Sequence, residues 1–292
     1  MYKIYKSSIN GLDELTTEQL EKGIWIDVIS PSVDELYEIS ALTGVQFDFL
    51  AAALDDEEKS RIEFESDQIL ILIDIPLLRS NNDYDTLPLG IIITANAIIT
   101  VCLEVNAVLA DFSSSNYRIF STFKKTRFLF QILYKSATLY LKYIRNINRR
   151  TDELEQHLRK SMENASLFNL LDVQKSLTFF SASLRSNYIV TEKLLRLRST
   201  NQLQHLIKMY EEDEDLLEDV IIEYKQAIEM VEMYSHILNG MMEVFASIIN
   251  NNMNLVMRFL AGVTILLAIP TVLSGLWGMN VPVPLADNEY AF

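Results

Sequence analysis

The sequence predicts a protein of the α+β/α class: an N-terminal α/β cytosolic domain, then a long helical stalk, or funnel, that continues into a transmembrane helix. Three observations predict this order. Short β-rich runs fill the first hundred residues, Pro270 is the only proline between residues 118 and 280, and residues 259–277 carry no charge. The predicted divisions are 1–118, 119–253, 254–277 and 278–292.

Four β-rich runs and one amphipathic helix make up the predicted first domain. The runs are 1–6, 23–29, 68–75 and 90–103. The last two are nearly all apolar, as expected of strands covered on both faces. Residues 32–42 have apolar side chains at helical spacing, and Pro31-Ser32 is a start signal for that helix. A loop is predicted at Asn81, Asn82, Asp83 and Pro88.

The rest of the chain predicts long helices, because it contains so few residues that break them. The first is expected at about 122–161, the second near 167–198, and the third from about Asp213 into the apolar run. The turns between them are predicted at Asn164-Ala165-Ser166 and Ser199-Thr200-Asn201.

Composition excludes several classes of function. Forty acidic residues against 25 basic ones give a formal charge of −15, which repels nucleic acid and suits a protein that meets cations. Cys102 is the only cysteine, so the chain forms no internal disulfide. The sequence has no glycine-rich phosphate loop, no Gly-x-Ser-x-Gly and no paired cysteine ligands, so an enzyme is not expected.

The uncharged run 259–277 predicts a membrane span. Nineteen residues at about 1.5 Å each extend roughly 28 Å, close to the thickness of the hydrocarbon core. The alternative is a buried helix of a soluble protein, but Trp277 at the end of the run favours a span. Arg258 is the only nearby cation and lies on the N-terminal side, which places the first 258 residues in the cytosol.

Two lines of residues run along the third predicted helix in alternating steps of three and four. The first predicts lengthwise packing against other helices: Val220, Tyr224, Ala227, Val231, Tyr234, Leu238, Met241, Phe245 and Ile248. The second is mostly polar or small: Asp219, Ile222, Gln226, Glu229, Met233, His236, Gly240, Glu243, Ser247, Asn250, Asn254, Met257, Ala261, Thr264, Ala268, Thr271, Gly275 and Gly278. We call this second set the polar line.

The polar line has two interpretations within the span. Small side chains let membrane helices approach closely, which needs no pore. A water-filled conduit needs the same small and hydroxyl side chains, turned inward by each copy of an oligomer. Because the line continues through Asn254, Asn250 and Glu243, and polar groups facing lipid are costly, the sequence favours the pore. The acidic residues 211–215 are interpreted as a solvated helix end, with cation accumulation as the alternative.

The span ends in Gly278-Met279-Asn280, preceded by Ile269-Pro270-Thr271 and Gly275. Together with the acidic helix before it, and with Trp25-Ile26-Asp27 in the first domain, this arrangement resembles the CorA-type magnesium transporters. The resemblance implies a homopentamer in the plasma (inner) membrane, with membrane lipid and divalent cations as its other partners. Mg²⁺ is then both the transported and the regulatory ion, and no organic cofactor is implied. A second span, absent from this sequence, is also expected.

The resemblance also implies roles for individual residues. Asn280 is the selectivity residue, and Gly278 and Met279 fix the turn that presents it. The implied pore-lining residues are Asn254, Met257, Leu260 and Thr271, with Met257 and Leu260 as a hydrophobic gate. The polar line adds Ala261, Thr264, Ala268 and Gly275 to the predicted pore lining. Asp219 is the implied regulatory metal ligand. Its partner position on the neighbouring subunit falls near Arg79, so Asp83 and Asp85 are substitute candidates. Asp287 and Glu289 are expected to attract cations outside.

Two alternatives remain open from the sequence. The motif does not separate a magnesium transporter from a Zn²⁺ or Co²⁺/Ni²⁺ transporter of the same family. From another class, a single-span, membrane-tethered structural or sensor protein would use the first line for assembly alone.

Overall fold

A computed structural model describes most of the chain. The described residues are 1–8, 11–17, 21–65, 67–79, 83–113, 116, 119–161, 164–197 and 206–278. Their contacts divide the chain into two compact units, Met1–Leu238 and Asn239–Phe292. The predicted division at residues 118 and 253 stays a prediction.

The first unit contains one mixed sheet. Its described strands are β1 (Tyr2–Ser7), β2 (Leu12–Leu15), β3 (Ile24–Ile29), β4 (Arg61–Glu65), β5 (Gln68–Leu78), β6 (Tyr84–Thr94) and β7 (Ala97–Cys102). They lie in the order β2-β1-β3-β7-β6-β5-β4. Only the β3–β7 pair is parallel among these; the other neighbours are antiparallel. Helices cover both faces, which explains why the central strands are almost entirely apolar.

Two short helices cover one face of the sheet. These are α1 (Val33–Thr43) and α2 (Phe47–Ala52). Ser32 caps α1 as the sequence predicts: its side chain accepts from the Glu35 N–H, and the Glu35 carboxylate accepts from the Ser32 N–H. Gly44 ends the helix in the left-handed region at φ 71°, a conformation that favours glycine. Leu36, Ile39 and Leu50 pack in the core beneath them.

Long helices cover the other face of the sheet. These are α3 (Lys125–Ser161) and α4 (Asn164–Leu197), and both contact β5 and β6. Trp25 of β3 is buried against the rings of Phe120 and Phe128. The final helix, α5, runs over Glu211–Trp277 and contributes to both units.

The first predicted line of α5 packs against the chain itself in the first unit. Val220, Tyr224, Ala227, Val231 and Leu238 are fully buried. The hydroxyl of Tyr224 lies beside Ser136 of α3 and Asn187 of α4, so this part of α5 lies against both helices. The prediction that the line packs lengthwise against other helices is confirmed there.

Several sequence predictions need correction. The run 90–103 belongs to two strands, β6 and β7, which are joined by a turn at Ala95-Asn96. The N–H groups of Asn96 and Ala97 donate to the hydroxyl oxygen of Thr94. Since that turn contains no glycine or proline, the usual signals for a hairpin are missing. Pro88 lies inside β6, not in a loop. Residues 164–166 form the first turn of α4 instead of a connection, since Asn and Ser also favour helix N-termini.

Other predicted connections are not tested. The turn at 199–201 lies outside the described residues, and so do Asn81 and Asn82 of the predicted loop.

Candidate functional site

The polar line lies on the exposed surface of α5. In the second unit its members from Gly240 to Gly278 are all exposed, and their steps alternate strictly between three and four residues. A repeat of 3.5 residues keeps one stripe of a helix facing one direction when helices supercoil gently around each other. A Cβ atom added to Gly240, Gly262 or Gly275 would meet no atom within 4 Å. Packing within one chain therefore does not require glycine at these positions.

The two threonines of the polar line present acceptor oxygens outward. The Thr264 hydroxyl donates to the Leu260 carbonyl at 2.8 Å, and the Thr271 hydroxyl donates to the Leu267 carbonyl at 3.1 Å. Each hydroxyl proton is thus used within the helix, and the oxygen lone pairs stay available. The waters around a hydrated cation point their hydrogens outward, so acceptor oxygens are the groups that match them.

Large apolar side chains accompany the small ones. Met257 and Leu260, the residues of the implied gate, are 61% and 52% exposed. Leu260 lies one step off the polar line, beside Ala261 and Thr264. Asn254 and Ala268 are exposed members of the line itself. The structure therefore brings the predicted pore-lining residues together along one side of α5, with Leu260 at the border of that stripe.

α5 is the one described helix that is long and apolar enough to cross a membrane, and its most apolar window is wholly exposed. Pro270 lies within it without ending it. The helix-type hydrogen bond from the Gly278 N–H to the Ser274 carbonyl, 2.9 Å, carries the helical backbone to the start of the predicted selectivity motif. Met279 and Asn280 lie outside the described residues, as do Asp287 and Glu289 in the outer segment.

The predicted regulatory carboxylates are in different environments. Asp219 on α5 is exposed, and no ion pair or hydrogen bond to its side chain is found within the described residues. A carboxylate oxygen of Asp83 lies 3.5 Å from a guanidinium nitrogen of Arg150 on α3. Asp85 lies 3.6 Å from Arg79, whose guanidinium also donates twice to Glu104 at 2.7 Å. The bonds to Glu104 raise the pKa of Arg79 above its ordinary value.

The predicted regulatory carboxylates do not form a divalent-cation site within one chain. Across the described ranges, no group of three or more His, Cys, Asp or Glu side chains could hold a metal ion. Asp83 and Asp85 each already have an arginine as partner. A cation bridging either carboxylate to Asp219 of another copy would therefore have to displace or share that arginine.

Sequence reasoning missed a basic cleft on α3. Arg149, Arg150, His157 and Asn146 line it together with Tyr84 of β6, Glu153 and Leu154, and its volume is about 410 Å³. We call this set the basic cleft. The signal for it was present in the sequence, because α3 contains nine Lys or Arg residues against three Asp or Glu in a chain that is acidic overall.

Sequence reasoning also missed the contact that fixes α4 on the sheet. Asn187 is fully buried, and its side-chain amide accepts from the Asp74 N–H at 2.9 Å and donates to the Asp74 carbonyl at 2.6 Å. Burial raises the pKa of the Asp74 carboxyl. No local sequence pattern around residue 187 predicts this contact. The contact depends on β4 pairing with β5 only as far as Leu72, which leaves the Asp74 backbone open to Asn187.

Known proteins share this sequence pattern and fold. A family model described as CorA-like Mg²⁺ transporter protein matches residues 21–292. The cobalt/magnesium transport protein CorA of Methanocaldococcus jannaschii is 30% identical over 291 residues, covering 96% of this chain and 87% of that protein. The complete structure of the CorA magnesium transporter from the same organism matches with a TM-score of 0.82 and 28% identity, covering 99% of this chain and 90% of that one.

A more distant match shows the fold alone. The ZntB cytoplasmic domain of Vibrio parahaemolyticus is 14% identical, with a TM-score of 0.64, over 86% of this chain and 97% of that one. The family model, by contrast, covers nearly the whole chain. The chain therefore belongs to the CorA-like Mg²⁺ transporter family.

Proposed function

We propose that this chain is the pore-forming subunit of a homo-oligomeric divalent-cation channel, with Mg²⁺ as the transported ion. The first 258 residues lie in the cytosol, and α5 crosses the plasma (inner) membrane. One observation carries the proposal: the exposed stripe of small, amide and hydroxyl side chains that follows a 3.5-residue repeat along α5 as far as Gly278. Several copies turning this stripe inward form a wet conduit.

The exposed surface of the span favours assembly in a membrane. Residues 249–278 are exposed throughout in the single chain, including the large apolar side chains of Phe259, Ile265 and Leu266. Lipid accommodates those residues, because it is as apolar as they are. It does not hydrogen-bond Asn250 or Asn254, which a water-filled interior does. A ring of copies satisfies both requirements at once.

Mg²⁺ as the cargo fits the oxygens that the chain offers. Mg²⁺ is small and gives up its waters reluctantly, so neutral oxygens that bond its hydration shell suit it better than a carboxylate cage. Thr264 and Thr271 offer such oxygens, and by resemblance Asn280 offers amide or carbonyl oxygens at the entrance, with Gly278 and Met279 shaping the turn. The name of the M. jannaschii relative includes cobalt as well as magnesium, so Co²⁺ and Zn²⁺ are the competing cargoes.

The regulatory part of the proposal is centred on Asp219. This carboxylate is exposed and available to a positive charge from outside the chain. The resemblance implies that cytosolic Mg²⁺ supplies the charge and favours a closed ring. Asp83 and Asp85 fit the second half of such a site poorly, since Arg150 and Arg79 already bind them.

Ion flux tests the proposal directly. The complete protein, reconstituted in liposomes containing a Mg²⁺-sensitive dye, should take up Mg²⁺ under an inside-negative potential. Asn280→Ala should abolish uptake. Thr264→Val and Thr271→Val keep side-chain size but remove the oxygen, so each should lower uptake severalfold. Val263→Thr, which adds a hydroxyl beside the stripe, is the matched control and should leave uptake unchanged.

The outcomes separate the alternatives. If the polar line serves only close packing, the valine variants conduct as well as the parent, because their volume is unchanged. Wild-type liposomes that never take up a divalent cation would favour the single-span tether. Preferential uptake of Co²⁺ or Zn²⁺ over Mg²⁺ would keep the channel and change its cargo.

A further inference from the structure

A small cavity lies beside β3 in the first unit, next to the 3-10 turn Leu109–Asp111. Its volume is about 200 Å³, which is room for a few water molecules or one small solute. Val105 and Ala110 line it and are both exposed, so the cavity is open to solvent at that side. We call this space the β3 cavity. It lies within the sheet domain and has no part in the proposed pore.

Asp27 is the one charged side chain among the described residues that line the β3 cavity. One of its carboxylate oxygens accepts from the Thr100 hydroxyl at 2.9 Å, and that hydroxyl accepts from the Trp25 indole N–H at 2.9 Å. No donor to its second oxygen is found among the described residues. Burial raises the pKa of Asp27 to about 6. At neutral pH the cavity therefore holds an ionised carboxylate with most of its acceptor capacity unused.

Aromatic side chains form much of the remaining wall. Tyr5, Trp25 and Phe112 all line the β3 cavity, and the ring centres of Tyr5 and Trp25 lie 5.1 Å apart. The face of an aromatic ring attracts a positive charge and repels a negative one, and this attraction is strongest where water is excluded. A single carboxylate among aromatic rings is thus suited to a small cation and unsuited to an anion.

The lining favours an ammonium ion over a metal ion. Mg²⁺ requires six oxygen ligands or retains its own waters, and the β3 cavity offers one carboxylate. The side-chain oxygen of Asn106, which also lines it, already accepts from the Leu109 N–H at 2.9 Å. An ammonium group brings its own N–H donors, which are the groups that the second oxygen of Asp27 lacks.

The chain's own nearest ammonium group is directed elsewhere. Lys3 of β1 is the direct cross-strand partner of Asp27 on β3. Its Nζ lies 3.6 Å from a carboxylate oxygen of Glu14 on β2, and Lys3 does not line the cavity. Lys3 still lowers the pKa of Asp27 through its charge, against the larger effect of burial. It is therefore a nearby competitor of any cation that enters.

We propose that the β3 cavity binds a small primary ammonium ion, whose N–H groups donate to Asp27 and whose charge lies among Tyr5, Trp25 and Phe112. The ion is either free ammonium or the end of a longer aliphatic amine, since both present the same group. A ligand that binds the folded protein alone stabilises it by mass action. Amine binding should therefore raise the resistance of the sheet domain to unfolding, whether or not the chain conducts Mg²⁺.

Tryptophan fluorescence tests the site in the complete protein in detergent, with Trp277 replaced by phenylalanine so that Trp25 alone reports. At pH 8 in phosphate buffer, methylammonium chloride should change the Trp25 emission saturably, with a Kd of about 10 mM, near the limit for so small a ligand. It should also raise the urea midpoint. Choline chloride of equal ionic strength, which has no N–H donor, should do neither. Ammonium chloride and 1,4-diaminobutane identify the source: the tighter binder of the two is the better ligand.

Two pairs of variants make the test specific. Asp27→Asn should weaken methylammonium binding about tenfold or more, because the buried counter-charge is lost, whereas Asp13→Asn, an exposed carboxylate on β2 outside the cavity, should have no effect. Val105→Lys keeps Asp27 but adds a positive charge at the opening and should weaken binding severalfold. Ala107→Lys adds the same charge at an exposed position that does not line the cavity and is its matched control.

Several results would overturn the proposal. One is a methylammonium response that Asp27→Asn and Val105→Lys both retain. Another is an equal response to choline or potassium chloride, which would show an effect of ionic strength. A response to MgCl2 that exceeds the response to methylammonium and disappears in Asp27→Asn would make the cavity a metal site. Failure of every amine to change either the emission or the urea midpoint would show that the cavity holds water alone.

Discussion

The side chain of Asn187 replaces a missing strand at the edge of the sheet. β4 pairs with β5 only as far as Leu72, so the backbone of Asp74 has no strand neighbour on that side. The Asn187 amide bonds both the N–H and the carbonyl of Asp74, at 2.9 and 2.6 Å, and accepts from the Ser60 hydroxyl at 3.0 Å. The Tyr140 hydroxyl gives the Asp74 carbonyl a second donor at 3.0 Å. Asn187 therefore fixes α4 where the sheet edge is exposed.

Replacing Asn187 with alanine should be strongly destabilising. The bonds to the Asp74 carbonyl and from the Ser60 hydroxyl are lost at about 1 kcal/mol each, and the Asp74 N–H beneath α4 is left without a partner at a cost of about 1–3 kcal/mol. The expected loss is therefore about 3–5 kcal/mol, a large part of the roughly 5–15 kcal/mol that stabilises a typical domain. Tyr140→Phe removes one of two donors to the same carbonyl and should cost only about 1 kcal/mol. Gln226→Ala, at an exposed position of α5, should change stability by less than about 0.5 kcal/mol.

Urea denaturation followed by tryptophan fluorescence measures these differences. Trp25 is 1% exposed inside the sheet domain, and the other tryptophan, Trp277, is replaced by phenylalanine in all variants so that one site reports. The transition midpoint of the Asn187→Ala protein in detergent should fall far below that of Tyr140→Phe. If both variants unfold at the same urea concentration, the strand-replacing role of Asn187 is wrong.

Three further predictions concern the same domain. Burial raises the pKa of Asp27 to about 6. The contribution of the Asp27 carboxyl to the free energy of unfolding is therefore complete below about pH 4 and is lost as pH rises through about 6. Asp27→Asn, which can still accept from Thr100, should flatten the pH profile of the urea midpoint over this range, and an unchanged profile would refute the assignment. Burial raises the pKa of the Cys102 thiol to about 11, so a thiol reagent at neutral pH should label it only after unfolding, and rapid labelling of the native protein would contradict this. Gly90→Ala places a methyl group 2.7 Å from the Ala53 side chain and should cost about 1–3 kcal/mol by overpacking, seen as a lower urea midpoint than that of the parent; an unchanged midpoint would show that α2 moves aside freely.

Local patterns predicted the elements whose signals are local. The capping box at Ser32 and Glu35, the apolar run of β5 and the long helices needed only neighbouring residues to be recognised. β4 and α2 were not predicted: β4 contains only two apolar residues among charged ones, and α2 has fewer than two helical turns, too few to show a helical repeat. Pro88 was assigned to a loop because its place in the sheet depends on tertiary structure. The backbone of Asp74, its partner on β5, bonds Asn187, so the Pro88 nitrogen points away from β5. On its other side the β6–β7 pairing has already ended at Leu89, so a proline there costs no sheet hydrogen bond.

The candidate site shows the same division. The polar line of α5 was predictable, since a 3.5-residue repeat is a property of one helix. The excess of basic residues on α3 was visible in the sequence, but the cleft itself was not predictable, because it depends on Tyr84 of β6 coming to lie beside Arg149 and His157 of α3. The family resemblance is confirmed by the family match and by the M. jannaschii relative, and it makes the chain a transporter and not an enzyme. The roles of Asp219, Thr264 and Asn280 stay predictions.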